Sequence, residues 1–180
     1  MKKTETAREF IETLNRDPKY QAMRAEKEKR LAALKAMLDA DAKPLIEALA
    51  AAGRQVKSVW DLVNTAESYP EAIPVLVEHL QRPYNIRTRE GIARALSVKE
   101  ARGPVAHIVL GELKKMNEAK DPIEESYRFA LTNALVTIGD SSMQEDIRQM
   151  LNDPNYAKAH MGLERAFKAI SRRKSQKEKK

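Results

Sequence analysis

Three histidines are the side chains of this 180-residue chain best suited to catalysis or metal binding, because the sequence has no cysteine. Without thiolates, cysteine nucleophiles and cysteine-bound metals are absent. His79, His107 and His160 have unrelated surroundings, and Glu78-His79 is a single dyad, so the spacing predicts no metal cluster. No phosphate-binding loop, dinucleotide fingerprint or serine-nucleophile motif occurs. The sequence therefore predicts a non-enzymatic protein without catalytic residues, metal or cofactor.

Trp60 is the only tryptophan, and its neighbours decide how it is interpreted. Val59, Leu62 and Val63 are typical of a helix face that packs into a core. Core packing is therefore the simpler interpretation. Contact with a protein partner, where tryptophan often dominates the binding energy, is the alternative.

The net charge of +7 is concentrated at the C-terminus. Residues 171–180, SRRKSQKEKK, contain six basic side chains, one acidic side chain and no apolar residue, which predicts a disordered basic tail. Basic and acidic residues nearly balance in the remainder. The opening MKKTETAREF lacks the apolar segment of a secretory signal, so we expect a cytoplasmic protein.

Helices must position these residues, because alanine, leucine and long charged residues are abundant while only 5% of residues are aromatic. Asp17-Pro18, Asp121-Pro122 and Asp153-Pro154 each offer an N-cap carboxylate followed by proline at the first helical position. Lys43-Pro44 and Gly103-Pro104 mark further starts. The predicted helices span about 4–15, 18–40, 43–52, 54–66, 71–81, 86–99, 104–117, 123–138, 142–151 and 156–170.

An internal repeat organises the later helices. REGIARAL (89–96), RFALTNAL (128–135) and HMGLERAF (160–167) align, and VKSVWDLV (56–63) is a fainter copy. One aligned position holds a small residue, which allows close helix approach, and the next holds Ile or Leu for the core: Gly91, Ala130 and Gly162, then Ile92, Leu131 and Leu163. A single hairpin cannot bury such a face, so the repeat predicts stacked hairpins.

The segments AIPVLVEHLQRPYNIRTREGIARAL and FALTNALVTIGD resemble HEAT-like repeats, and the resemblance to bacterial HEAT-repeat proteins covers roughly residues 43–170. It implies an all-α fold: an α-solenoid of about four HEAT-like helical hairpins. The expected domains are an N-terminal helical cap (1–42), the repeat domain (43–170) and the basic tail (171–180). A scaffold or protein-binding role is implied.

In HEAT-like stacks the second helix of each hairpin lines a concave surface, where we expect a protein partner to bind. Both charge signs occur there together with two large apolar side chains, which suits a protein interface better than a phosphate backbone. The predicted partner-binding residues are Lys57, Asp61, Glu90, Arg94, Phe129, Asn133, Met161 and Arg165. An adaptor, or an immunity or inhibitor protein that covers its target, would use such a surface.

Nucleic-acid binding is the alternative function. It would use a basic set on and after the helix at 86–99, together with the C-terminal tail: Arg87, Arg89, Arg94, Lys99 and Arg102. A recurring polar position, Arg89, Arg128 and His160, is predicted to donate hydrogen bonds to loop carbonyls.

The helix at 18–40 has an apolar stripe broken by Lys27. The stripe predicts a cap over the end of the stack, with a coiled-coil dimerisation helix as the alternative. Its apolar residues are Tyr20, Met23, Leu31, Leu34 and Leu38.

Overall fold

The computed structural model describes residues 6–63, 65–116 and 118–177, and within these ranges the fold is all-helical, without a strand. None of the described helices combines the length and the apolar content of a membrane span. The nine described α-helices are α1 (Ala7–Arg16), α2 (Pro18–Ala51), α3 (Trp60–Val63), α4 (Ala72–Leu80), α5 (Ile86–Ala95), α6 (Pro104–Lys114), α7 (Pro122–Ile138), α8 (Gln144–Asn152) and α9 (His160–Lys177).

The chain divides into an N-terminal unit that ends at Ala40 and a C-terminal unit that begins at Asp41. In the N-terminal unit, the Thr6 hydroxyl accepts from the Glu9 backbone N–H and the Glu9 carboxylate accepts from the Thr6 N–H, which forms a capping box for α1. Asp17 accepts from the Lys19 N–H at 2.8 Å and begins α2, as its Asp-Pro pair predicts. No described residue of this unit is buried.

The C-terminal unit contains every buried residue of the described chain, beginning with Leu45 and Leu49 of α2. The expected helix start at Lys43-Pro44 is wrong, because α2 continues through Pro44. Proline inside a helix costs a backbone hydrogen bond. Burial of the two leucines stabilises the helix beyond that point.

The helix expected over 54–66 is also mostly absent, since α3 is a single turn of four residues. Gly53 ends α2 with a φ of +91°, a value that favours glycine. The Asp61 carboxylate then accepts hydrogen bonds from the backbone N–H groups of Lys57 and Ser58, at 2.9 and 3.0 Å. These bonds hold residues 57–58 in a turn, so that the helix begins only at Trp60.

The helices from α3 to α9 pack against one another. Helices α4 and α5, α6 and α7, and α8 and α9 pack in pairs, while α3, α5, α7 and α9 contact one another in succession. A side-chain carbon added at Gly91 would lie 2.5 Å from Val59, and one added at Gly162 would lie 2.6 Å from Thr132. These two glycines therefore permit close contact between α3 and α5 and between α7 and α9. Phe167, the sixth core residue that the alignment predicts, is only partly buried. The other five have no exposed surface: Ile92, Leu96, Leu131, Leu135 and Leu163.

The expected disorder from residue 171 onward is wrong for residues 171–177, because α9 continues to Lys177. The Arg173 guanidinium donates to the carbonyls of Val136 and Gly139, both at 2.8 Å, at the C-terminal end of α7. These carbonyls have no partner within their own helix, which is why a cation is favoured there. Residues 178–180 of the predicted tail lie outside the described residues.

Candidate protein-binding surface

An arginine flanked by two exposed aromatic rings lies where α3, α5 and α7 meet. The Arg94 guanidinium is 6.0 Å from the ring centre of Trp60 and 6.0 Å from that of Phe129. Trp60 is 38% exposed and Phe129 is 44% exposed. We call these three residues the aromatic–arginine cluster. Tryptophan, arginine and other large side chains at a solvent-accessible position are the usual anchors of protein interfaces.

Glu90 is the buried residue that positions Arg94 of the cluster. Its carboxylate accepts from Arg94 Nε at 3.0 Å and Nη2 at 2.8 Å, from Arg87 Nη1 at 3.0 Å and from the Ser126 hydroxyl at 2.7 Å. Burial raises the pKa of Glu90, but the hydrogen bonds from Ser126, Arg94 and Arg87 outweigh burial and hold that pKa below its ordinary value. Glu90 therefore stays ionised and orients Arg94. Being 2% exposed, it does not present the partner-facing carboxylate that the sequence predicts.

Trp60 is more exposed than the simpler sequence interpretation expects. Its indole ring lies against Gly91 of α5, where an added side-chain carbon would be 3.3 Å from Trp60 Cε2. Val59 and Leu62, on either side of it, are buried. The glycine accordingly supports one part of the ring while the remainder faces solvent. The sequence alone gives no signal for this arrangement, because it depends on a contact between α3 and α5.

The other predicted partner-binding residues differ in exposure. Lys57 precedes α3 and Asp61 lies within it; both are exposed, although the Asp61 carboxylate accepts from two backbone N–H groups. Asn133 is half-buried on α7. Met161, at 70% exposure, and the exposed Arg165 lie on α9, which packs against α7.

The basic residues of the nucleic-acid alternative are largely paired within the protein. Arg87 and Arg94 share Glu90, while Arg89 binds the buried Glu112 and lies 5.0 Å from the ring centre of Tyr127. Arg102 donates to the Thr137 carbonyl at 3.1 Å, and Lys99 is exposed. Arg89 and Arg94 are five residues apart, about 140° around a helix, and so face different directions. These side chains do not form one basic stripe.

The recurring polar position serves different purposes in the three repeats. Arg128 Nη1 donates to the Asn155 carbonyl at 3.5 Å, as predicted for this position. Arg89 instead binds a carboxylate, and His160 is exposed, with Nδ1 3.7 Å from Glu164. The prediction of bonds to loop carbonyls is therefore correct for Arg128 and wrong for the other two.

The structure brings together a serine, a histidine and an aspartate that no sequence motif indicates. His107 Nε2 is 3.2 Å from the Ser142 hydroxyl, which donates to Asp140 at 2.5 Å. The Asp140 carboxylate therefore contacts the serine hydroxyl. A serine nucleophile needs the opposite order, with the carboxylate on the histidine.

The third histidine environment is buried. His79 Nδ1 lies 2.7 Å from the Tyr84 hydroxyl, and the two rings stack with their centres 5.7 Å apart. Among the described residues, no three metal-binding side chains come together.

Comparison of the chain with models of protein families, with curated proteins and with solved structures finds no match to any of them.

Proposed function

We propose that this chain is a non-enzymatic protein-binding module whose partner contacts the aromatic–arginine cluster. The observation that carries the proposal is the pair of exposed rings of Trp60 and Phe129 on either side of Arg94. Glu90 already fixes the arginine, so little side-chain freedom remains to be lost when a partner binds. A preformed arginine between two aromatic anchors is a suitable centre for a protein interface.

The surface is proposed to be the concave side of a HEAT-like solenoid. The contacts of α3 with α5, α5 with α7, and α7 with α9 support this arrangement, as do the pairs formed with α4, α6 and α8. In such a stack the cluster and the exposed side chains of α9 share one side. The module would act as an adaptor, or as an inhibitor that covers its target.

Nucleic-acid binding is kept as the second candidate because of one face of α9. Arg165, Lys168 and Arg172 are exposed at spacings of three and four residues, which places them on the same side of the helix. The pairing of Arg87, Arg89 and Arg94 with buried carboxylates favours the protein-binding proposal.

The decisive experiment compares Phe129→Ala with Phe10→Ala. Both residues are exposed phenylalanines, and Phe10 lies in the N-terminal unit, outside the cluster. A partner is captured with the wild-type chain, and its affinity for each variant is measured by calorimetry. Phe129→Ala should weaken binding by about thirtyfold, the effect of losing about 2 kcal/mol at an interface anchor. Phe10→Ala should bind as tightly as wild type.

Arg94→Glu is a poor test, because it would place a second carboxylate beside buried Glu90 and destabilise the fold. Arg94→Lys keeps the charge and removes the planar group that lies between the rings. Weakened binding with an unchanged melting temperature supports the proposal. Equal affinities for Phe129→Ala, Arg94→Lys and wild type contradict it.

A salt titration with single-stranded RNA distinguishes the second candidate. A phosphate-binding protein loses affinity steeply as salt is added. A strong interaction with RNA that disappears with salt, and that is unaffected by Phe129→Ala, would favour the α9 surface instead.

A further inference from the structure

The described part of the N-terminal unit exposes an apolar stripe on α2 and forms no core of its own. Met23, Leu31 and Leu34 on α2 are all about half exposed or more, and no described residue up to Ala40 is buried. Most of the stability of helices in proteins comes from packing of an apolar face against another surface. The stripe therefore gains stability when a second apolar surface covers it.

The stripe follows an eleven-residue spacing. Tyr20, Met23 and Lys27 are followed eleven residues later by Leu31, Leu34 and Leu38. Eleven residues make three turns at 3.67 residues per turn, close to the 3.6 of a straight helix. The stripe consequently runs almost straight along α2. Two helices can pair along such a stripe although it does not follow a seven-residue repeat. Lys27, in the middle, can extend its ammonium group past the apolar surface.

The charges beside the stripe alternate in sign. On one flank, Arg24 forms an ion pair with Glu28 at 2.9 Å, and Lys35 forms one with Asp39. The order along that flank is positive, negative, positive, negative. In an antiparallel pair of two copies of α2, this flank of one helix lies against the same flank of the other. The charges of the second copy then run in the opposite order.

This reversal matches opposite charges across the pair. With Leu31 opposite Leu31 of the second copy, Arg24 comes within one residue of Asp39 of that copy, and Glu28 within one residue of Lys35. Met23 falls beside Leu38 of that copy, and the stem of Lys27 falls beside Leu34, with its ammonium group near Lys35. A surface groove of about 400 Å³ on this part of α2 is lined by Tyr20, Met23, Arg24, Lys27, Glu28 and Leu31.

A parallel pair brings like charges together. In that arrangement, residues five apart on opposite flanks meet across the interface. Lys19 would then face Arg24 of the other helix, and Arg30 would face Lys35. An antiparallel pair brings Arg30 near Arg30 of the second copy, but it also makes four opposite-charge contacts, so the charge pattern of α2 favours the antiparallel orientation.

We propose that the first half of α2 is a self-association surface, on which a second copy of this chain pairs antiparallel about Leu31. This surface is separate from the aromatic–arginine cluster, so either proposal can fail without the other. The self-association proposal assigns the apolar stripe of α2 to dimerisation.

Analytical ultracentrifugation of the full chain tests the proposal, with a charge reversal and its rescue. Lys35→Glu should weaken the dimer by about tenfold at low ionic strength, because each subunit loses an attraction and gains a repulsion. Glu28→Lys combined with Lys35→Glu should restore it. Lys29→Glu is the matched control, since residue 29 lies on the opposite side of the helix from the stripe and should leave the dimer unchanged.

Single introduced cysteines test the orientation, because the natural chain has none. Leu31→Cys should form a disulfide between the two copies under mild oxidation. Leu38→Cys should not, because antiparallel pairing separates the two cysteines by about 14 residues, roughly 21 Å along the helix. A parallel dimer would crosslink at both positions.

Three results overturn the proposal. The first is a chain that stays monomeric at every concentration up to about 100 µM. Its dimer dissociation constant would then be well above that concentration, too weak for a specific dimer. The second is efficient crosslinking of Leu38→Cys. The third is a dimer that responds equally to Lys35→Glu and Lys29→Glu, since it would use another surface.

Discussion

Two buried glutamates show how single residues organise the surface of this protein. Glu90 is shared by Arg87 and Arg94, and Glu112 is shared by Arg89 and Lys115. Each carboxylate is almost inaccessible to solvent, so it depends on its cationic partners. The three arginines are thereby held in place by carboxylates of the same protein.

His79 should make the stability of the fold depend on pH. Burial lowers the pKa of this ring below its ordinary value of 6.5, and Arg82 lowers it further while Glu78 opposes the change. The folded protein thus binds this proton less readily than the unfolded chain. The stability contributed by the neutral ring is complete above about pH 6.5 and is lost as the pH falls through the folded-state pKa.

Urea unfolding of wild type and His79→Gln at about pH 7.5 and pH 5 measures this contribution. Wild type should lose more unfolding free energy than the variant between the two conditions. The same loss in both proteins would show that other groups cause the pH dependence.

For single residues, the sequence predicted which side chains are neighbours better than it predicted which of them are exposed to solvent. The repeat alignment correctly put Arg94 and Phe129 on adjacent helices, where the structure brings them into contact. It also aligned Glu90 with Phe129 and Met161 as an exposed position. Glu90 is buried because Ser126, 36 residues later, donates to it, and spacing on one helix does not reveal such a partner.

At the scale of helices, glycine determines how closely α3 approaches α5. Gly91→Ala should destabilise the fold by about 1 kcal/mol, since crowding of Val59 and Trp60 outweighs the gain in helix propensity. Denaturant unfolding measures the change, and the fluorescence of the single tryptophan should shift as its ring is displaced. Gly111→Ala in α6 is the control, because an added side-chain carbon there meets nothing within 4 Å. A destabilisation equal to that of the control would exclude close packing at Gly91.

The last turns of α9 should contribute to stability as well. Removal of residues 171–180 takes away Arg173 and with it two hydrogen bonds to the end of α7. We expect a loss of about 1–3 kcal/mol, typical of bonds from a charged donor. Removal of residues 175–180 alone should cost almost nothing. Thermal melts of the two truncated chains decide the matter, and identical melts would contradict a role for Arg173.

Helix boundaries were the least predictable feature, for reasons that lie outside each helix. Composition and the apolar pattern predicted helices throughout, which is correct. Pro44 looked like a helix start, but burial of Leu45 and Leu49 keeps α2 continuous. Arg173 looked like part of a disordered tail, because its hydrogen-bond acceptors lie more than thirty residues earlier in the chain.

For the whole molecule, the distribution of buried residues predicts which part folds independently. Every buried residue in the described part of the chain lies from Leu45 onward. A chain of residues 41–180 should therefore unfold cooperatively, with a melting temperature within about 3 °C of the full chain when both are measured as dilute monomers. Calorimetry provides the comparison. A non-cooperative transition would mean that the N-terminal unit is needed for folding.

The single turn of α3 has a consequence for how the cluster works over time. Trp60 is held by one four-residue helix, anchored by Val59 and Leu62, whereas Arg94 and Phe129 lie on longer helices. A short element with few anchors opens locally at much lower free energy than the whole fold. If the cluster binds a partner as proposed, each brief opening would remove one of its two aromatic rings, and the apparent affinity would fall in proportion to the time that α3 spends detached. A partner that covers Trp60 would close this equilibrium, and slower amide hydrogen exchange across residues 59–63 would record its arrival.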